Sequence, residues 1–239
     1  MLRFYVVQSI VLGIVVHELL AISRGVRKKT LRLSQISQDE LLDSPFLTRT
    51  SLGLLRLAIG IFELGLIAHR CLMGPADNKF CNVVDEGKHC VPYGGIWLFA
   101  TFTIWSWVGQ GIYFFIIGLA PFVNLGRRSW LQQTLWVLYE IMFPMAILVT
   151  VVVWLVLVPY LNKAVEDGRS RNIETHQLMQ RVLYSFSGLS FHCLNLVFML
   201  LEFSLNKISI ERAHRPFILL FGCAYVEFAT VFHSLFGVW

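Results

Sequence analysis

Apolar residues in this chain come in blocks too long for a soluble core. They run over about 4–22, 52–72, 96–119, 130–160, 180–204 and 216–237, separated by shorter polar stretches. About 20 predominantly apolar residues of helix cross the hydrocarbon core of a bilayer. A backbone in lipid must satisfy its own hydrogen bonds, so such blocks become helices. The alternating segments of a membrane barrel are absent. The pattern therefore predicts an all-α fold: a polytopic membrane helical bundle with about six transmembrane helices, forming a single integral membrane domain over 1–239. The fourth block, at roughly 1.5 Å per residue, is longer than the hydrocarbon core and must tilt, kink or project into water. Pro144 in "EIMFPMAILV" is the predicted kink. The first block follows Met1 directly, lacks a small-residue cleavage site and reads as a span. No internal repeat, low-complexity tract or soluble domain is evident.

Composition agrees. The 239 residues are 56% hydrophobic and 15% charged, where a soluble domain carries about a quarter charged residues. Basic residues concentrate in alternate loops: Arg24, Arg27, Lys28, Lys29, Arg32 and Arg49 in the first, Arg127 and Arg128 in the third, Lys207, Arg212 and Arg215 in the fifth. The second and fourth loops balance Lys and Arg against Asp and Glu. The odd loops are thus expected on the cytoplasmic side, or the matrix side of a mitochondrial inner membrane, with both termini opposite. An endomembrane or plasma membrane location fits the same pattern. The net charge of +5 is mostly this topological signal and does not point to nucleic acid. The "RGVRKK" run suits anionic lipid.

Candidate chemistry lies in two places. The second loop, "CLMGPADNKFCNVVDEGKHC", gathers Cys71, Cys81 and Cys90. Two of these can form a disulfide on the non-cytoplasmic side, and Cys81–Cys90 would close a short loop. A zinc site with His69 or His89 is the alternative, although the spacing matches no standard pattern. Cys193 and Cys223 read as packing residues within spans. The fifth span, "FSGLSFHCLNLVFMLLEFSLN", carries His192, Asn195, Met199 and Glu202 at i, i+3, i+7 and i+10, one face of an α-helix. An ionisable group at mid-span costs roughly 2.5–3.5 kcal/mol on insertion scales. His192 and Glu202 are about 15 Å apart along the axis and cannot touch. Glu202 therefore reads as a structural anchor near the helix end, in reach of the headgroup region. His17, Glu18, Arg56, Glu63, Glu140, Glu227 and His233 are further intramembrane polar residues, lining a shared cavity or pairing between helices. A bis-histidine haem using His192 and His233 is a minor alternative. A transporter is disfavoured because no inverted repeat stands out.

Four stretches in order carry a resemblance. They are "YGGIWLFATFTIWSWVGQGIYFF", "FPMAILVTVVVW", "HCLNLVFMLLE" and "YVEFATVFHSLFGVW", together covering about Tyr93 to Trp239. They resemble the androgen-induced and androgen-dependent family of multipass membrane hydrolases, which cleave fatty acid esters of hydroxy fatty acids with an intramembrane Thr and His. The third stretch places His192 ten residues before Glu202, as in that family. The resemblance implies His192 as base and a Thr nucleophile in the first stretch. Counting back from Gln110, Tyr113 and Phe114 gives Thr103; counting from Gly94-Gly95 gives Thr101 as the reserve. A two-residue insertion is easier to absorb before a helix than within it, which favours Thr103. The other expectation for either residue is a hydroxyl bonded to its own backbone. The chain departs from the family in having "LSFH" where the family has His-Gly-Met-His, Ser106 where the family has Asn, and differently built ends.

A threonine hydroxyl needs a base within hydrogen-bond reach, which a neutral His192 would supply. Developing negative charge on the ester oxygen needs donors. Asn195 is the first candidate, then Ser106 and the indoles of Trp105 or Trp107. Trp97, Trp105, Trp107, Tyr113 and Phe114 would suit acyl chains or lipid-facing packing. No Gly-x-Ser-x-Gly elbow is present. The expectation is an intramembrane lipid-ester hydrolase with membrane lipids as partners and with no cofactor or metal. The alternative is a catalytically silent relative serving as an accessory or structural subunit of a larger membrane protein complex.

Overall fold

A computed structural model describes residues 2–28, 38–73, 79–81, 90–92, 94–123, 129–166, 180 and 182–237. The fold is an all-α polytopic bundle. Six helical stretches are long and apolar enough to cross a membrane: Val6–Arg27, Arg49–Leu72, Phe102–Leu119, Ser129–Tyr160, Phe186–Leu205 and Arg212–Phe236.

Their elements follow in chain order. Helix α1 spans Leu2–Arg27, the short α2 Gln38–Leu42 and α3 Arg49–Leu72. Strands β1 (Lys79–Cys81) and β2 (Cys90–Pro92) pair antiparallel, with Cys81 opposite Cys90 in the register. A 3₁₀ turn over Gly95–Ala100 leads into α4, Phe102–Leu119. Helix α5, Ser129–Val151, continues through a π-helical turn at Val152–Leu157 into α6, Val158–Glu166. The fifth span is built from α7 (Phe186–Leu189), a π-helical turn (Ser190–Leu194) and α8 (Asn195–Leu205). A 3₁₀ turn at Arg212–His214 precedes α9, Arg215–Phe236.

Local chemistry sets the helix starts. Thr48 accepts a hydrogen bond from Ser51 N–H ahead of α3, and Ser185 accepts one from Gly188 N–H ahead of α7. Pro216 stands in the first turn of α9, where its missing N–H costs nothing. These caps correct two expected boundaries. The third span begins at Phe102 and not near 96, because the chain first winds as a 3₁₀ turn. The fifth is not one helix from 180, because Ser185 caps a new helix beginning at Phe186. In the fourth span, α5 keeps its helical form through Pro144, and the change of winding comes later, at Val152–Leu157.

The core forms where α3 and α4 pack most closely. A Cβ added at Gly60 would fall 2.4 Å from Phe115 N, and one at Gly118 would fall 2.5 Å from Leu57 N. Only glycine lets these two backbones approach so far, a common device between membrane helices. Helices α5 and α8 complete the main cluster with Tyr139, Met142, Ala146 and Met199 against Tyr113, Phe114 and Ile117. A second cluster of Ile67, Leu98, Ile104, Trp107 and Phe191 lies towards the start of α4.

The intramembrane charges do not share one cavity. Arg56 of α3 and Glu202 of α8 form a buried bidentate pair, Nε to Oε2 at 3.0 Å and Nη2 to Oε1 at 2.6 Å. Tyr113 Oη donates to Glu202 Oε1 at 2.7 Å, Asn206 Nδ2 donates to it at 3.2 Å, and Arg56 Nη1 donates to Leu41 O at 2.9 Å. Glu202 is only 2% exposed, so it binds helices together and does not reach headgroups. Glu140 accepts from His214 Nδ1 and from Glu211 N–H, tying α5 to the turn before α9. His17 Nδ1 lies 3.0 Å from Glu18, and the Gln8 amide nitrogen, turned to satisfy both groups, donates to Glu227 at 2.9 Å. Charges in lipid are stable when paired, and these residues separate into local pairs. Glu63 differs: it is buried, and neither carboxylate oxygen has a partner among the described residues.

Cys71, Cys193 and Cys223 are free thiols, so Cys71 takes no part in a disulfide. The side chains of Cys81, Cys90 and His89, on which the disulfide and zinc expectations rest, lie outside the described residues. Among the described residues, no group of three or more His, Cys, Asp and Glu converges.

Candidate active site

The site is built where the fifth span departs from α-helical winding. Within the π-helical turn, Asn195 N–H bonds Ser190 O five residues back. Leu196 N–H is drawn to Asn195 Oδ1 at 2.7 Å, and the His192 carbonyl takes Trp154 Nε1 at 3.2 Å. Trp154 belongs to the other π-helical turn, so two irregular segments brace each other at this level. Such turns recur at functional sites because they rotate side chains off the regular helix face. His192 therefore leaves the regular i, i+3, i+7 row expected from spacing.

The ring of His192 is held at both nitrogens. Nδ1 lies 2.7 Å from Gly188 O. A carbonyl only accepts, so Nδ1 carries the proton and, in the neutral ring, Nε2 presents its lone pair. Nε2 faces Thr103 Oγ1 at 3.5 Å, the outer limit of a hydrogen bond, from across the bundle on α4. Catalytic hydrogen bonds are often this long without substrate. The sequence places 88 residues between Thr103 and His192, and only the tertiary fold brings them together.

Gly188 is required by space. A Cβ there would lie 2.1 Å from Val182 O and 2.5 Å from Leu183 O, both backbone atoms. The same glycine supplies the carbonyl that orients His192.

Thr103 stands in the first turn of α4, where helical N–H groups lack intrahelical acceptors and the helix dipole favours negative charge. Thr101 is elsewhere in its bonding. It sits just before the helix and donates its hydroxyl to Leu98 O at 3.0 Å. The structure thus brings Thr103 to His192 and leaves Thr101 on its own backbone.

Of the proposed donors, Asn195 and Ser106 are fully buried, and Asn195 Nδ2 and Ser106 Oγ have no partner among the described residues. Asn195 is fixed through its oxygen, which also faces Thr150 Oγ1 at 3.3 Å. The indoles are otherwise engaged: Trp105 Nε1 donates to Phe99 O and Trp107 Nε1 to Glu63 O, each at 2.8 Å. Neither is available to an oxyanion. The aromatic set divides as well. Trp107, Tyr113 and Phe114 are core, whereas Trp105 makes edge-on or tilted contacts with Phe221, Tyr225 and Phe228 of α9, and Trp97 edge-on contacts with Phe232 and Phe236.

Sequence reasoning missed Gly188, Trp154 and Thr150. Only the glycine left a visible trace, as an otherwise unexplained Gly four residues before a membrane histidine. No family model, curated protein or solved structure matches the chain.

Proposed function

We propose that this chain is an intramembrane lipid-ester hydrolase, a remote relative of the androgen-induced and androgen-dependent hydrolases, with Thr103 as nucleophile and His192 as base. The observation that carries this reading is the relay Gly188 O, His192 Nδ1–H, His192 Nε2, Thr103 Oγ1. It has the nucleophile, the base and the group that orients the base, each within contact of the next.

In the first step Thr103 Oγ1 attacks the ester carbonyl carbon and its proton passes to His192 Nε2. The imidazolium stays anchored through Nδ1–H on Gly188 O. The carbonyl oxygen becomes an oxyanion, for which Asn195 Nδ2, without a partner among the described residues, is the candidate donor. Collapse expels the alcohol, which takes the proton from Nε2, and leaves an acyl ester on Thr103. Water then attacks this ester with His192 again as base, the acid departs, and the threonine hydroxyl is restored. The substrate is a lipid ester reaching the site from the bilayer, since both reacting side chains are only part-buried within membrane spans.

A fluorophosphonate probe on purified protein tests the assignment. Wild type and Thr101→Ala should label, and Thr103→Ala and His192→Ala should lose labelling by roughly 10²-fold or more, the scale of general-base catalysis. Absence of labelling on folded wild type would sink the hydrolase reading. It would turn attention to an accessory subunit, which should then co-purify with a large membrane assembly.

A further inference from the structure

We propose that the buried face of α4 beside the dyad holds the second substrate, water, between Ser106, Gln110 and Asn195. This rests on the hydrolase reading and deepens it.

Thr103, Ser106 and Gln110 lie at i, i+3 and i+7, one face of α4 running inward from the nucleophile. Ser106 and Gln110 are fully buried, as is Asn195. Gln110 Nε2 donates to Asn195 O at 2.9 Å, which sets the Gln110 amide against α8 at Asn195. Its other atom, Oε1, has no partner among the described residues. Asn195 shows the complement: its oxygen is used by Leu196 N–H and faces Thr150, while Nδ2 is unpartnered. Ser106 Oγ, one turn nearer Thr103, is unpartnered too.

The three orphaned groups are an amide donor, an amide acceptor and a hydroxyl that serves as either. Water matches that set. It accepts from Asn195 Nδ2, donates to Gln110 Oε1 and pairs with Ser106 Oγ. Buried waters typically make about three hydrogen bonds to groups the protein leaves unsatisfied. An acyl chain offers none. A second N–H on the Asn195 amide remains for the oxyanion.

The site gives Ser106 and Gln110 a role in one half of the reaction. Attack of Thr103 on an ester consumes no water. Deacylation does: the water oxygen bonds to the acyl carbon, one water proton passes to His192 Nε2, the bond from the acyl carbon to Thr103 Oγ1 breaks, and Oγ1 recovers the proton from Nε2. One ester and one water give one acid and the free hydroxyl. A molecule held against the acyl carbon then sets the rate of this step.

The test is a stopped-flow burst with p-nitrophenyl octanoate on wild type, Ser106→Ala and Gln110→Met in lipid nanodiscs, with intact mass to detect the acyl adduct. Ser106→Ala removes one atom at a buried site and keeps the fold, while Gln110→Met keeps the volume. In both variants the burst rate should fall by a smaller factor than turnover. Steady-state turnover should fall by about tenfold or more, and the acyl adduct on Thr103 should accumulate. Wild-type turnover in both variants would overturn the water site and leave the hydrolase reading intact. Burst and turnover falling together would also overturn it, since that is a loss of acylation. A folded wild type with neither burst nor adduct would overturn the hydrolase reading itself, and the water site with it.

Discussion

Replacing Glu202 by Leu should unfold the bundle more readily than any comparable change on the surface. The carboxylate receives two hydrogen bonds from Arg56, one from Tyr113 and one from Asn206. Glu202→Leu removes all four and leaves the Arg56 guanidinium, 1% exposed, with only Leu41 O. Removing one partner of a buried pair typically costs ~3–5 kcal/mol, because the surviving charge stays buried without compensation. Arg56→Met should cost a similar amount, since Tyr113 and Asn206 cannot neutralise the carboxylate. The double variant strands no charge and should cost less than the sum of the singles by ~2 kcal/mol or more. Unfolding in mixed micelles by a rising fraction of dodecyl sulfate, followed by tryptophan fluorescence, measures all three. Single costs under ~1 kcal/mol, or additivity within ~0.5 kcal/mol, would mean that Arg56 and Glu202 do not meet. Helix α8 would then not pack against α3 at this point, and the contact of His192 with Thr103 would fall with it.

Two further substitutions probe the histidine's supports. Gly188→Ala should destabilise by ~1–3 kcal/mol, because its Cβ would overlap the Val182 and Leu183 carbonyls; it should also cut fluorophosphonate labelling by ~10²-fold, the effect of misplacing a reacting group by about 1 Å. Full labelling of folded Gly188→Ala would remove Gly188 O as the anchor. Trp154→Phe keeps the aromatic bulk and deletes the donor to His192 O, so labelling should slow while thermal unfolding shifts by ~1 kcal/mol, the worth of one hydrogen bond. An unchanged rate would show that the π-helical turn holds its shape without the indole.

The spans were legible because twenty apolar residues in lipid have few choices but a helix. Their interruptions were not. Nothing in "SFHCL" announces a π-helical turn, since it depends on Asn195 capturing its neighbour's N–H and on Trp154 arriving from another span. Pro144 drew attention as a helix breaker, yet the change of winding falls among the valines and leucines of 152–157. That Thr103 and not Thr101 faces His192 agrees with the sequence argument that an insertion inside a helix rotates every later side chain. Partners were the least legible feature. Glu202 was set near the headgroups because its partner, Arg56, is 146 positions away, and no pattern within one span can reveal it.

The intramembrane polar residues fall into two groups, and the division bears on which of them act. Arg56, Glu202 and Glu140 have their charges satisfied by one another, by Tyr113, by His214 Nδ1 or by backbone groups. Such groups bind helices together, and a ligand would have to break a buried pair to reach them. Ser106, Gln110 and Asn195 each keep one buried polar atom without a partner among the described residues, and Gln110 bonds the span that carries His192 through Asn195 O. A buried orphan is costly, so a bundle held only by packing would replace these residues with apolar ones of similar volume. These three lie on the two spans that carry Thr103 and His192, whose side chains face each other at 3.5 Å, while further atoms unpartnered among the described residues lie at Glu18, Glu63, Arg70 and Tyr139. On the proposed hydrolase reading, Asn195 would supply the oxyanion donor and the three groups together the water site beside the proton acceptor.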